Sequence, residues 1–514
     1  MISQLCIVFA IVIYLMVMIM IGFNYSKKNA NVSDFYLGGR KLGPIVTAMS
    51  AEASDMSSYL LMGLPGLAYI SGLSDVGWTA IGLAVGTYFN WLIVARRLRL
   101  YSQITDSFTL PGFFSKRYND EKNLLSCVAA IIIVIFFIPY TASGFAACGK
   151  LFGTLFNANY HVAMILSAII IVIYCTMGGF LAVSTTDLIQ SITMTVALAI
   201  VLVYGIVTAG GVGAVVDTAS QLPGYLSLTS IHDMASGTSS PYGPITVLST
   251  LAWGLGYFGM PHILLRFMAV EDDEKIKVSR RIASVWVVIS MAVAILIGVV
   301  GYAVSSKGLV DTLSTSSESE TIIIKLADLM SKNGVFPALI AGIILAGILA
   351  ATMSTADSQL LAAASSISED LMQNFFGIKI SEKMSIIIAR VTVIIISVIA
   401  VFIANDPNSS IFSIVSFAWA GFGATFGPVM LLALFSKRSN KQGAIAGMIS
   451  GGVVVFVWKY CVRPIGPSFN IYELLPAFIV ALVVNVVVSM VTKEPDEEVV
   501  KTFEKYTEVV NSHK

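Results

Sequence analysis

Charge is scarce in this chain. Asp, Glu, Lys and Arg make up 12% of its 514 residues, against about 25% in an average soluble domain. With 56% hydrophobic residues and a mean hydropathy of +0.85, that shortage excludes an ordinary soluble domain and implies a polytopic membrane protein before any motif is considered. The net charge is +1, so no excess of one sign points to nucleic acid. Cysteines are few and scattered: Cys6, Cys127, Cys148, Cys175 and Cys461 form no CxxC or CxxxxH cluster that would hold a metal, and they read as buried small hydrophobes. No Walker motif or other nucleotide loop is present, which argues against an ATP-driven pump. No nucleophile–base–acid constellation stands out, which argues against an intramembrane enzyme. The N-terminus, MISQLC, lacks a basic n-region. The apolar run of about 20 residues behind it is expected to stay as a span and not to leave as a signal peptide.

What is present instead is a recurrence of apolar runs of about 20 residues between polar breaks. Spans are expected at about 4–23, 44–70, 74–95, 124–155, 160–178, 187–209, 245–268, 283–303, 336–364, 385–405, 411–435, 443–463 and 472–491, thirteen in all. Basic residues gather after spans one (Lys27, Lys28, Arg40, Lys41), three (Arg96, Arg97, Arg99, Lys116, Arg117, Lys122), seven (Lys275, Lys277, Arg280, Arg281) and eleven. These loops share one side, and an excess of Lys and Arg marks the cytoplasm, so the N-terminus is expected outside and the C-terminus inside. The expectation is one transmembrane domain over residues 1–492 and a charged cytoplasmic tail over 493–514, either a short amphipathic helix or disordered. Only about 20 residues follow the last span, too few for a kinase or receiver domain.

Two spans carry signs of interruption. Ser50 to Gly66, SAEASDMSSYLLMGLPG, holds Glu52 and Asp55, the small or hydroxyl residues Ala53, Ser54, Ser57 and Ser58, and then Gly63, Pro65 and Gly66. A charge inside a span costs a few kcal/mol or more, so such residues face a cavity, a partner or an ion. Small residues and helix-breakers beside them point to unwound backbone whose carbonyls can hold a cation. The competing reading is a kinked helix whose polar residues bind its neighbours. The second interruption is Trp253-Gly254-Leu255-Gly256-Tyr257-Phe258-Gly259, followed two positions on by Pro261, where glycines weaken the helix and the proline removes a further bond. These are spans two and seven. If the first span is an addition (4–23), they open two five-span halves, 44–209 and 245–435, with 443–491 as two extra helices. An offset of five makes the halves run oppositely, as an inverted repeat requires.

Candidate chemistry gathers near these breaks. In AGILAATMSTADSQLL, Ala351, Ser354, Thr355 and Ser358 fall on one helix face. Two hydroxyls there, with carbonyls from an unwound helix, would make a five-oxygen shell for sodium. Alternatively, each hydroxyl bonds back to its own preceding turn. Asp357 lies on a flank of that face. Asp187, at the start of span six, is either a helix cap or a member of an ion exit path. His262 and Arg266 are expected at the membrane interface. The aromatics Tyr59, Tyr140, Trp253, Tyr257 and Phe258 flank the breaks and are candidates for lining a pocket.

The motifs SAxASDMSxxLLMGLPG, LGGRxLGP, TLPxFF, GGFLAVSxTDxxQ, AWGLGYFGxPHILxRFM, AAxMST and SFAWAGFGAxFGP occur in one unbroken order over about residues 5–490. Together they resemble the sodium:solute symporter family, and within it the bacterial sodium/proline symporter branch. The resemblance implies an all-α polytopic protein with the leucine-transporter fold, a 5+5 inverted repeat with one extra N-terminal and two extra C-terminal helices. It also implies alternating access driven by a sodium gradient in the cell membrane, with Na+ and a small amino acid as partners. Carried over by position, it implies sodium ligands from the carbonyls of Ala53, Met56 and Ala351 and the hydroxyls of Ser354 and Thr355. It links Asp55 and Ser57 to sodium and substrate, Tyr140, Trp253, Tyr257 and Pro261 to the substrate pocket, Asp187 to sodium movement and Arg40 to coupling.

The chain departs from that pattern at Tyr59, where a tryptophan is usual, at Ser58 and Glu52, where glycines are usual, and at Asp357, where the residue is usually neutral. A more polar pocket with added carboxylates would suit a cationic or longer amino acid such as lysine; the alternative is that Glu52 and Asp357 pair with protein groups away from the pocket. L-Proline is the first choice of substrate. A membrane sensor or channel without concentrative transport is the reading from a different class.

Overall fold

The computed structural model describes residues 2–26, 32–177 and 179–512; Lys27, Lys28 and Lys514 lie outside them. It is nearly all helix. The principal helices are α1 (Ile2–Ser26), α2 (Pro44–Ser58), α3 (Leu64–Ser71), α4 (Leu73–Phe89), α5 (Leu124–Phe156), α6 (Tyr160–Met177), α7 (Phe180–Thr208), α8 (Pro244–Leu251), α9 (Pro261–Ala269), α10 (Ile276–Ser306), α11 (Val335–Ser365), α12 (Glu382–Ile403), α13 (Ile411–Phe435), α14 (Lys441–Val457), α15 (Leu474–Val491) and α16 (Glu497–Ser512). Ten helices among the described residues are long and apolar enough to cross a membrane, and the chain is a multi-pass membrane protein. In hydrocarbon every backbone N–H and C=O needs an internal partner, and a helix supplies it within one segment. The exposed side chains of α1 and α12 are correspondingly apolar, among them Leu5, Phe9, Met16 and Met20 on α1 and Ile387, Ile394, Val398 and Phe402 on α12.

α11 is the central helix. It packs against α1, α2, α5 and α7, and nearly every residue from Ile344 to Leu360 is buried. Small residues allow the approach: a Cβ on Gly342 would stand 2.6 Å from Ala10 Cβ of α1, and one on Gly347 2.7 Å from Ala197 Cβ of α7. Close backbone packing at small residues is the usual means of holding helices together where lipid removes the hydrophobic driving force.

Both expected interruptions are present, with different causes. The first falls at Ser57, inside the polar run and upstream of the glycine–proline cluster; Ser57 takes φ 48°, ψ −167°. A wider turn over Tyr59–Gly63 follows before α3 resumes. Gly66, expected as a breaker, instead lets α3 meet another chain segment: its Cβ would stand 2.7 Å from the Glu320 amide nitrogen. The second interruption is a 3-10 stretch, Ala252–Gly259, ending in the extended residue Met260 before α9. Its glycines are packing sites. A Cβ on Gly254 would stand 2.2 Å from the Gly82 carbonyl oxygen of α4, and one on Gly256 1.9 Å from Trp419 Nε1 of α13.

The two long connections, 210–244 and 304–335, carry secondary structure of their own. Residues 210–244 contain a helix, Val212–Ser220, and a hairpin of β1 (Ser230–Asp233) with β2 (Thr238–Pro241), antiparallel with Ser230 opposite Pro241. The connection before α11 contains Ser316–Ser319 and Ile322–Ser331. Between these two helices Glu320 is buried and accepts from Lys150 Nζ at 2.6 Å, Ser410 Oγ at 2.8 Å and the Ile411 and Phe412 amides at 3.0 Å. The carboxylate thus serves two otherwise unpaired N–H groups at the start of α13, where the helix dipole favours negative charge. The tail is helical: α16 buries Val499, Phe503, Tyr506 and Val510, and Tyr506 stacks on Tyr101 with ring centroids 4.3 Å apart. Of the five cysteines, Cys127 and Cys148 are buried as expected, whereas Cys461 is exposed.

Gly254→Val should lower the thermal midpoint of the purified protein, by the equivalent of about 1–3 kcal/mol for an overpacked site. An unchanged midpoint in a thermal-shift assay would contradict the contact between α4 and the second interruption.

Candidate functional site

The site grows from the Ser57 interruption. A non-glycine residue in that backbone region costs about 1–3 kcal/mol and persists only where its surroundings enforce it. Here the Ser57 hydroxyl accepts the Tyr59 amide at 3.1 Å. The interruption frees carbonyls of α2 from the helical ladder, and they find partners on other elements. Ser354 Oγ of α11 donates to the Ala53 carbonyl at 2.8 Å, and Tyr140 Oη of α5 donates to the Asp55 carbonyl at 3.1 Å.

Ser354 Oγ also lies 3.2 Å from the Ala351 carbonyl, and Thr355 Oγ1 donates to that carbonyl at 3.0 Å. The back-bonding alternative therefore holds for both hydroxyls, and Ser354 reaches across to α2 as well. Four of the five oxygens named from the sequence, those of Ala53, Ala351, Ser354 and Thr355, thus form one connected cluster. The fifth, the Met56 carbonyl, accepts the Tyr59 amide on the other side of the interruption. All five residues are buried. The donor set is oxygen alone, the kind that hard cations prefer.

The second interruption differs in its partners. The Trp253 carbonyl accepts from Trp419 Nε1 at 2.8 Å, and the Tyr257 carbonyl accepts from Asn90 Nδ2 at 2.9 Å. Indole and amide N–H groups only donate, whereas a hydroxyl both donates and accepts. The carbonyls of the first interruption are therefore held by groups that can turn a lone pair toward a cation. The Trp253 and Tyr257 carbonyls of the second are held by groups that cannot.

Asp55 joins the two interruptions: Tyr257 Oη donates to its Oδ2 at 2.5 Å. Around this bond stands an aromatic cluster. Tyr59 stacks on Trp253 at 5.6 Å, Trp253 faces Phe412 at 5.3 Å and Tyr472 at 5.1 Å, and Tyr257 meets Trp419 edge-on at 5.1 Å. Tyr59, Trp253 and Tyr257 were legible in the sequence as pocket candidates. Phe412, Trp419 and Tyr472 were not, although Trp419 sits in the quoted SFAWAGFG motif. Pro261 is buried at the first position of α9, which suits its missing amide. Among the described residues, no hydrogen bond or ring contact joins it to that cluster.

Beside the first interruption lies a small cavity of about 10 Å³ whose lining includes Ser57, Ser58, Tyr140, Thr141, Thr355 and Gln359. Thr141 and Gln359 carried no signal in the sequence. Of the three selectivity candidates, only Ser58 lines this cavity. Glu52 accepts from Trp91 Nε1 at 3.0 Å, with its other oxygen buried and unpartnered. Asp357 accepts from Ser358 Oγ at 3.3 Å.

One reading from the sequence needs correction. Asp187 does not cap a helix: α7 begins at Phe180 behind Gly179, which puts Asp187 in its third turn. His262 and Arg266 are both fully buried within the protein. Arg266 Nη2 pairs with Asp187 Oδ2 at 3.0 Å and donates to Ser358 Oγ at 2.5 Å, its Nε donates to Ser50 Oγ at 3.0 Å, and Ser50 Oγ donates to Asp187 Oδ2 at 2.6 Å. Four helices, α2, α7, α9 and α11, meet on this one ion pair. Ser358 in turn donates to the Ser354 carbonyl at 2.8 Å, so the ion pair adjoins the oxygen cluster. Arg40 stands apart from it. Its guanidinium donates to the Met268 carbonyl at 2.6 Å, the Ser107 carbonyl at 2.6 Å and the Ser102 carbonyl and hydroxyl at 3.0 Å. It thereby ties the segment before α2 to the end of α9, beside the backbone bonds Leu42 to Ala269 and Glu271 to Leu42.

A model of the sodium:solute symporter family matches residues 35–451. The chain is 41% identical over 490 residues to the osmoregulated proline transporter OpuE of Bacillus subtilis (strain 168), covering 95% of each chain. It is 42% identical over 496 residues to the sodium/proline symporter of Haemophilus influenzae, covering 96% of each. It is 39% identical over 508 residues to the sodium/proline symporter of Staphylococcus aureus, covering 97% of this chain and 95% of the relative. Among solved structures, a substrate-bound, outward-open Na+-coupled sialic acid symporter superposes with a TM-score of 0.77 at 18% identity, over 96% of this chain and 99% of the other. The nucleobase-cation-symport-1 family transporter Mhp1 superposes with a TM-score of 0.54 at 12% identity, over 93% and 99%. At these identities the two structures establish likeness of fold.

Removing one partner of a buried ion pair costs about 3–5 kcal/mol, because the other charge is left uncompensated. Asp187→Ala should therefore lower the thermal midpoint strongly, and Asp187→Leu combined with Arg266→Met should recover some of the loss. Equal midpoints for the single and double variants would show that the pair does not hold these helices.

Proposed function

The chain belongs to the sodium:solute symporter family over most of its length, and from that premise we propose that it carries L-proline inward together with sodium by alternating access. The relatives named as proline transporters support the substrate. The contact of Ser354 Oγ with the Ala53 carbonyl across the first interruption carries the coupling. Sodium enters as a co-substrate. It would take the carbonyls of Ala53, Met56 and Ala351 and the hydroxyls of Ser354 and Thr355, whose protons turn outward as their lone pairs turn to the ion. One ion would thereby join α2 to α11 and shape the space beside the interruption. Asp55, Ser57, Tyr59, Tyr140, Trp253, Tyr257 and Pro261 are proposed on the substrate side, and Asp187 and Arg40 in ion passage and coupling. The ten long helices, the apolar helix Tyr160–Thr176 and the two interrupted segments are proposed as thirteen spans of the leucine-transporter fold. The N-terminus is placed outside and the tail in the cytoplasm on the distribution of basic residues.

A cationic amino acid such as lysine is the second reading. One observation favours it: Glu52 Oε2 is buried without a partner, and a substrate ammonium would satisfy it.

The test is uptake of labelled proline into liposomes under an inward sodium gradient, with unlabelled lysine and glutamine as competitors. Concentrative sodium-dependent uptake blocked only by proline supports the first reading. Competition by lysine with little proline uptake supports the second, and absence of gradient-driven uptake rejects both in favour of a sensor or channel. Ser354→Ala and Thr355→Ala should each raise the sodium concentration for half-maximal uptake about tenfold, since losing a bond to a charged partner is worth at least ~1.4 kcal/mol. Unchanged sodium activation in both variants would remove the oxygen cluster from the mechanism.

A further inference from the structure

Two donors in this cavity have no partner among the described residues. Gln359 is fully buried on α11, one turn beyond Thr355. Its Oε1 accepts from Thr141 Oγ1 of α5 at 3.3 Å, while its Nε2 makes no bond. Ser58, the first residue after the interruption, is also fully buried, and its hydroxyl makes no bond. Both residues line the same cavity. An unpaired buried amide N–H is costly, and most such groups in folded proteins find a partner. Two unpaired donors in one small space point to a ligand that accepts hydrogen bonds.

The ligand's chemistry follows from the surroundings. Nε2 can only donate, so its partner is an acceptor. The cavity also reaches Thr355, one of the cluster oxygens, so a bound cation would stand beside it and favour a negative acceptor. Asp55 repels such a group, and its carboxylate already takes the Tyr257 hydroxyl. An amino acid has one group of this description, its α-carboxylate. At about 10 Å³ the cavity holds about one water, so it must widen between its lining helices α2, α5 and α11 to admit an amino acid.

We propose that Gln359 is a specificity-determining residue that receives the substrate's α-carboxylate, with Nε2 and Ser58 Oγ donating to its two oxygens and Thr141 fixing the orientation of the amide. The assignment rests on the reading of the protein as an amino-acid symporter and names the pole of the substrate that this side of the interruption recognises. It also accounts for the serine at position 58, which adds a donor where the family pattern has glycine.

The test compares wild type with Gln359→Met, which keeps the volume and removes the donor, and Gln359→Glu, which keeps the shape and adds a negative charge. Each is reconstituted in liposomes, and proline uptake is inhibited by unlabelled L-proline or by L-prolinamide, which lacks the carboxylate. Wild type should prefer proline over the amide strongly. Gln359→Met should weaken proline about tenfold or more, the usual worth of a hydrogen bond to a charged group. It should also erase most of the preference over prolinamide while leaving the sodium concentration for half-maximal uptake nearly unchanged. Gln359→Glu should weaken proline further. If the position 359 variants do not insert, Ser58→Gly carries the same readout, with a smaller loss in the same direction. Retained preference for proline over prolinamide, with wild-type affinity, would overturn the assignment and leave the transport reading intact. Absence of proline uptake by wild type would overturn the reading on which it rests.

Discussion

A backbone carbonyl that leaves a helix inside hydrocarbon must be met by a donor, because no water is present to meet it. This constraint governs the architecture around Ser57 and around Trp253–Gly259. The protein meets it in two ways. At the second interruption the carbonyls of Trp253 and Tyr257 take N–H groups from Trp419 and Asn90, which can only donate. At the first they take hydroxyls from Ser354 and Tyr140, which can exchange the role of donor for that of acceptor. The difference in donor chemistry distinguishes the two interruptions: one is met by N–H groups that only donate, the other by hydroxyls that can also accept.

The oxygen cluster is not isolated from the rest of the bundle. Ser358 donates to the Ser354 carbonyl and accepts from Arg266, which pairs with Asp187 and bonds Ser50. Ser354 therefore stands two hydrogen bonds from a buried charge pair. Such a pair is sensitive to the loss of any partner. Its position beside the oxygen cluster links Asp187 to Ser354 through Arg266 and Ser358.

The two ends of the bundle are fastened by different means. Glu320 holds Lys150 and the start of α13 at one end, while Gly66 lets α3 lie directly on the Glu320 backbone. At the other end Arg40 and the Leu42 backbone bind the end of α9. Alternating access requires that such fastenings open at a single end at any moment, and each here is built from a few localised contacts.

The long apolar helices, the existence of both interruptions and the oxygen face of α11 were legible in the sequence, because each rests on local properties: the length of apolar runs, helical periodicity and the backbone preferences of small residues. The family was legible because its motifs follow one order across nearly the whole chain. Tertiary structure alone decided the rest. It moved the first interruption to Ser57, since the neighbours that enforce a strained backbone come from α5 and α11. It made the glycines at 254 and 256 packing contacts, since only α4 and α13 reveal what a Cβ would strike. It gave Arg266 its ion-pair partner, because a buried charge is explained by its partner and that partner lies 79 positions away. It brought Gln359 to Thr141 across 218 positions, a meeting that no local pattern encodes.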